Sequence, residues 1–166
     1  MVILGIDPGT ARCGYGLIEE DGSSLRLVDC GLIETPAGTA AADRLTAIFN
    51  RLTELLTRFK PDAVAVEQLF YGKNSRTAMA VGQARGVILL AAALGGLQTA
   101  EYTPVQVKQA VSGYGAADKQ QVKAMVKTLL NLKELKGHDD ISDALAVAIC
   151  HAFNYRMAGK TGTEAQ

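Results

Sequence analysis

Met1 to Ile6 is an apolar run that ends at Asp7, and Pro8-Gly9 turns the chain directly afterwards. A run this short, apolar at nearly every position, reads as a strand buried on both faces. Asp7 therefore stands at the end of a buried strand, where a carboxylate without compensation is costly. Asp before Pro-Gly also initiates turns well, so Asp7 by itself is open to a plain turn role.

The rest of the chain reads as a mixed α/β pattern. Residues 14 to 19 and 25 to 34 are rich in strand formers, and Glu20-Asp21-Gly22-Ser23-Ser24 between them is turn-forming, so three antiparallel strands are expected at the start. From about Ala40 to Phe59, apolar residues from Leu45 to Phe59 recur at spacings of three and four, an amphipathic helix that Pro61 ends. Ala63-Val64-Ala65-Val66 reads as a core strand that delivers Glu67 at its end. A helix follows from about Ser75 to Leu94, with Ala78, Ala80, Gly82, Ala84 and Gly86 small enough for another backbone to approach.

Leu97 to Tyr102 reads as a fifth strand, and Thr103-Pro104 as an N-cap followed by proline at the first helical position. That helix runs to about Val111. Asp118 can cap the next, whose apolar face is Val122, Met125, Val126 and Leu129, with Lys119, Lys123 and Lys127 beside it. The last helix is expected from about Asp140 to Tyr155, burying Ile141, Leu145, Ala148, Ile149 and Phe153. The packing these elements favour is one domain over residues 1–157, a five-stranded mixed sheet flanked by helices, with 158–166 a flexible tail.

Composition narrows the class. At 166 residues and 48% apolar content the chain can bury a core without disulfides or a structural metal. No apolar run reaches the ~20 residues of a membrane span, and no basic region precedes the first apolar stretch, so a cytoplasmic protein is expected. Cys13, Cys30 and Cys150 form no CxxC pair and read as small reduced core residues. Seventeen basic and seventeen acidic residues cancel, yet residues 104–136 hold six lysines against Asp118 and Glu134. A locally positive face is therefore compatible with the neutral total.

Four acids stand where carboxylates are costly: Asp7 and Glu67 at ends of apolar strands, and Asp140 with Asp143 opening an apolar helix. If the two strands are neighbours and the helix crosses their ends, the four converge, and they cannot all stay ionised without cations between them. Hard oxygen donors suit Mg²⁺ or Mn²⁺, and two such ions roughly 3.5–4 Å apart can activate water and stabilise a leaving oxygen in phosphodiester hydrolysis. Each acid has a plainer alternative: Glu67 an exposed strand end, Asp140 an N-cap, Asp143 a partner of the helix dipole. His138 is open to a role with water or phosphate and to a simple loop role.

Gly5-Ile6-Asp7-Pro8-Gly9-Thr10 with Gly14-Tyr15-Gly16, then Val66-Glu67-Gln68-Leu69-Phe70, Gln83-Ala84-Arg85-Gly86, Gln106-Val107-Lys108, Asp118-Lys119-Gln120-Gln121-Val122 and Asp140-Ile141-Ser142-Asp143-Ala144-Leu145-Ala146 resemble, in order and spacing, the RuvC family of Holliday junction resolvases. Any one block is weak; the ordered set covers residues 2 to about 155.

The resemblance implies a ribonuclease H-like fold and a homodimer that makes paired, symmetric nicks in four-way DNA junctions, leaving 5′-phosphate and 3′-hydroxyl ends. It places Asp7, Glu67, Asp140 and Asp143 on the family's metal-binding acids, with two Mg²⁺ or Mn²⁺ ions. It places Phe70 on an aromatic that stacks on a base, and Lys108 and Lys119 on contacts to the DNA backbone. Arg76, Lys123, Lys127 and Lys73 are candidates to extend that surface. The helix from Ser75 would belong to the dimer interface, and the branch-migration proteins RuvA and RuvB would be partners. Some family members carry histidine three residues before the last aspartate; here Asp140 is there, with His138 and Asp139 nearby.

Three other readings compete. A YqgF-type nuclease shares the opening Gly-hydrophobic-Asp-x-Gly pattern, although the Glu67-Gln68-Leu69-Phe70 block and Lys108 favour RuvC. An actin-like or sugar-kinase-type protein needs two such domains and a second phosphate loop, for which 166 residues leave no room. A non-catalytic junction-binding protein would not need all four acids.

Overall fold

The computed structural model describes residues 1–22, 24–68 and 75–161, with residues 75–77 and 158–161 described by their backbone alone. The elements are β1 (Val2–Asp7), β2 (Arg12–Glu20), β3 (Leu25–Glu34), α1 (Ala41–Phe59), β4 (Ala63–Glu67), α2 (Ser75–Leu94), β5 (Thr99–Tyr102), α3 (Pro104–Ser112), α4 (Lys119–Leu129) and α5 (Asp139–Thr161). The strands form one sheet in the order β3-β2-β1-β4-β5. β1 pairs antiparallel with β2 and parallel with β4, β2 pairs antiparallel with β3, and β4 pairs parallel with β5. The expected mixed sheet with three antiparallel leading strands is the one observed.

Because side chains alternate along a strand, each central strand divides its residues between two cores. Leu4 and Ile6 of β1, Cys13, Tyr15 and Leu17 of β2, and Val64 and Val66 of β4 pack against α1 and α2. Ile3, Ile18 and Ala65 pack on the other face, against α3, α4 and α5. By the same alternation Gly5 and Asp7, Arg12, Gly14 and Gly16, and Glu67 belong to this second face. The strand-end acids thus share a face with α5.

On that face α5 lies directly on backbone. A Cβ at Gly5 would stand 2.2 Å from the carbonyl oxygen of Ala144, and one at Gly14 would stand 2.0 Å from that of Asp140. No side chain fits at either position, which is what glycine inside a strand commonly signals. α3 and α4 cover the outer side of α5, so Ala144 to Cys150 are buried without interruption. The stripe expected from periodicity understated this burial. A helix apolar on all sides is a buried helix, and here the sheet and two further helices supply the cover.

Both caps expected from sequence are present. Thr103 Oγ1 accepts from the Gln106 N–H at 3.2 Å, and the Asp118 carboxylate accepts from the Gln121 N–H at 2.9 Å, each closing a capping box with the glutamine side chain. α5 begins one residue before the expected Asp140 and continues to Thr161, beyond Tyr155. Apolar periodicity reports where burial ends, and a helix already nucleated propagates past that point when no proline intervenes. Cys13, Cys30 and Cys150 are free thiols. Among the described residues no helix is long and apolar enough to cross a membrane.

A candidate active site of carboxylates and lysines

Parallel pairing of β1 with β4 in the register Ile6 to Val66 brings the next residues, Asp7 and Glu67, to the same edge of the sheet. α5 crosses there, and its first turns supply Asp140 and Asp143. All four carboxylates line one cavity of about 330 Å³, together with Lys108 of α3 and Lys119 of α4. Val107, Val122 and Ala146 supply apolar lining. Pro104, Lys119 and Asp140 belong to the first turns of three different helices and all reach this cavity, so three positive helix ends converge on it.

The electrostatics are those of crowded, half-dry acids. Burial first, and then the charges of Glu67, Asp143 and Asp140, push the Asp7 carboxyl up to about 8. Burial and Asp143 push Glu67 up to about 7, against the opposing hydrogen bond from Asp7 and the charges of Lys119 and Lys108. Near neutral pH the protein alone therefore keeps a proton in the Asp7–Glu67 pair. Asp143 is also raised, chiefly by burial, although Lys119 works against the shift.

Two basic side chains hold the α5 acids. Lys119 Nζ lies 3.4 Å from Asp143 Oδ2, and Arg12 Nε donates to Asp140 Oδ2 at 3.2 Å. The charge of Asp143 in turn raises the Lys119 ammonium. Lys119 is the first residue of α4, the end where a helix disfavours a cation, so its place there reflects the acids opposite it. One turn further along, Lys123 Nζ pairs with Asp139 Oδ1 at 3.2 Å. Lys123 and Lys127 then line a second groove with Lys136.

Among the described residues no group of three or more His, Cys, Asp or Glu side chains stands ready to hold a metal ion. The donor chemistry nevertheless fits hard divalent cations. Carboxylate oxygens line the cavity, and the burial and mutual repulsion that raise Asp7, Glu67 and Asp143 are what a cation would relieve. Asp140 and Asp143 meanwhile spend their charge on Arg12 and Lys119.

The structure thus brings together Asp7, Glu67, Asp140, Asp143, Lys108 and Lys119 and puts Lys123 one turn away. His138 is exposed and absent from the cavity lining; its carbonyl accepts the Ile141 N–H at 3.1 Å as α5 begins. Asp140 lies inside the first turn of α5 and is not its cap. Phe70 and Lys73 fall outside the described residues, as does the side chain of Arg76. Arg12 and Gly14 were not among the candidates. For Gly14 the sequence does hold a signal: Gly14 and Gly16 alternate about Tyr15, which strips one strand face of side chains.

A mixed sheet in this order, with acids ending its two central strands and a buried helix laid across them, defines a ribonuclease H-like protein. Residues 3–151 match the family model described as crossover junction endodeoxyribonuclease RuvC. The chain is similar to the protein of that name from Pelotomaculum thermopropionicum, at 56% identity over 96% of this chain and 98% of the relative. It is 59% identical to the Heliobacterium modesticaldum protein over 95% of this chain and 99% of that one. In structure it is similar to Thermus thermophilus RuvC in complex with Holliday junction substrate, with a TM-score of 0.91, 41% identity, and coverage of 95% and 96% of the two chains. The chain belongs to the RuvC family of crossover junction endodeoxyribonucleases.

Proposed function

We propose that this protein resolves four-way DNA junctions in the cytoplasm by paired, metal-dependent hydrolysis of phosphodiester bonds, leaving 5′-phosphate and 3′-hydroxyl ends. The observation that carries this reading is the convergence of four carboxylates and two lysines on one cavity in a chain of this family. Asp7, Glu67, Asp140 and Asp143 would hold two Mg²⁺ or Mn²⁺ ions. When bound, those ions supply Lewis-acid activation of water and of the leaving oxygen.

The remaining work falls to the chain itself. Asp7 and Glu67 must give up the proton they share near neutral pH before all four acids can act as ligands, so metal loading and proton release are linked. Lys108 and Lys119 hold the scissile phosphate at the cavity mouth and offset its charge, as ammonium groups do in positioning a nucleic-acid backbone. Lys123 and Arg76 continue that contact along the duplex, and Phe70 stacks on a base near the crossover. His138, exposed outside the cavity, is given no catalytic duty.

Paired nicks require two sites, and α2 suits a homodimer interface. It is rich in apolar residues, and among its described side chains Ala84, Ile88, Ala91 and Ala92 are the buried ones within the protomer. Met79, Leu90 and Leu94 remain 72%, 53% and 69% exposed, an apolar face of the kind a partner covers. Arg85 pairs with Glu101 of β5 and ties this helix to the edge of the sheet. RuvA and RuvB are proposed partners on family grounds.

The test is cleavage of a labelled four-way junction against linear duplex of the same sequence, with Mg²⁺ or Mn²⁺ and with EDTA. Metal-dependent nicks on the junction alone, sealed afterwards by a ligase, are expected. Equal cleavage of the duplex, or cleavage in EDTA, would overturn the reading.

A further inference from the structure

We propose that Arg12 is a positioning residue that competes with the divalent cation for Asp140, holding this ligand back until metal arrives. The inference rests on the reading of the four acids as metal ligands and adds a residue to it.

Three observations carry it. Arg12 Nε donates to Asp140 Oδ2 at 3.2 Å, yet Arg12 is not among the residues that line the acid cavity. Its pull on Asp140 therefore comes from outside the space a cation would occupy. The backbones around the pair are in close approach: Gly14, two residues along β2, abuts the Asp140 carbonyl, so the N-terminus of α5 is packed directly on the strand that carries Arg12. With the two backbones this close, rotation of the side chains is enough to make or break the pair. Finally, among the described residues no three acids stand ready to bind an ion, which is what counter-ions drawing Asp140 and Asp143 away would produce.

The Arg12 side chain is 50% exposed, so the pair is worth the modest amount of a surface salt bridge. Removing it should free Asp140 by a correspondingly modest factor. The charges near the pair are those of Asp7, Asp143, Lys108 and Lys119 in the cavity, Glu34 opposite Arg12 in the β2–β3 register, and Asp139, itself paired with Lys123, beside Asp140. Lys119 and Lys123 are engaged with Asp143 and Asp139, so the Arg12 guanidinium is the counter-charge held on Asp140, and metal loading must displace it.

The experiment is calorimetric titration of the metal-free protein with Mn²⁺ in the absence of DNA, for wild type, Arg12→Ala and Arg12→Lys, with thermal melting of each metal-free form as a check on folding. Arg12→Ala is expected to bind Mn²⁺ about two- to five-fold more tightly than wild type, with Arg12→Lys between them. Wild type that binds Mn²⁺ with an affinity that Arg12→Ala leaves unchanged or weakens would overturn the role of Arg12 alone. Wild type that binds no Mn²⁺ would overturn the metal reading and this inference with it.

Discussion

The Cα of Gly14 stands so close to α5 that a side chain there would place its Cβ 2.0 Å from the carbonyl oxygen of Asp140. One strand glycine therefore fixes how near a candidate ligand comes to the acids at the ends of β1 and β4. Gly14→Ala must push the first turn of α5 outward, carrying Asp140 with it. The expected cost is about 1–3 kcal/mol of stability, the usual range for overpacking, and at least about a tenfold loss of junction cleavage. Thermal melting and single-turnover cleavage check both; a variant with wild-type cleavage would show that Asp140 need not be held so tightly.

The acid pair makes metal-free stability depend on pH in an unusual direction. Asp7 is raised from 3.8 to about 8 and Glu67 from 4.5 to about 7, so over that interval the folded protein binds more protons than the unfolded chain. Stability from this source is full below about pH 4, falls as pH rises, and levels off above about pH 8. The slope approaches about 1.4 kcal/mol per pH unit for each proton retained. Chemical denaturation in EDTA at pH 5 to 9 should show the decline in wild type and a much flatter profile in Asp7→Asn. Saturating Mn²⁺ should restore stability at pH 8. Parallel profiles for the two proteins would contradict the shared proton.

The lysines should act on affinity through phosphate. Lys119→Ala is expected to weaken junction binding, measured in Ca²⁺ or EDTA, and to lower the salt slope of log K by about one. The variant also leaves Asp143 without the partner 3.4 Å away, so its metal-free form should melt no higher than wild type. An unchanged salt slope would remove Lys119 from the DNA surface.

For α2 the prediction concerns assembly. Leu90→Glu places a charge on an apolar face that is open in the protomer, where Leu90 is 53% exposed and the longer side chain can reach solvent. The protomer should fold with near-normal stability while sedimentation velocity shows a shift from dimer to monomer. Paired nicking should fall more steeply than nicking of one strand. A dimer that survives this change would place the interface elsewhere.

Much of this site can be read before any coordinates, and the reason is local. A carboxylate ending an apolar strand is costly wherever the strand lies, so Asp7 and Glu67 stand out as candidates although each alone also fits a turn or an exposed strand end, and Thr103 and Asp118 declare their helices through capping chemistry confined to four residues. What sequence hides is contact between distant segments. Arg12 and Asp140 are 128 positions apart, and nothing local marks either as the other's partner. The depth of α5 is hidden for the same cause, because its second side is covered by α3 and α4, whose packing periodicity does not encode. Phe70, set by family resemblance and not by local chemistry, lies outside the described residues.

The central claim is that the carboxylate cluster performs the cleavage and does not merely stabilise the fold. Its most direct test is Asp7→Asn on a labelled four-way junction, with binding and single-turnover cleavage measured side by side in saturating Mg²⁺ or Mn²⁺. The account predicts a folded variant that binds the junction within a few-fold of wild type and cleaves it at least about 100-fold more slowly. Cleavage at the wild-type rate by a variant that also binds normally would contradict it and move the chemistry away from Asp7.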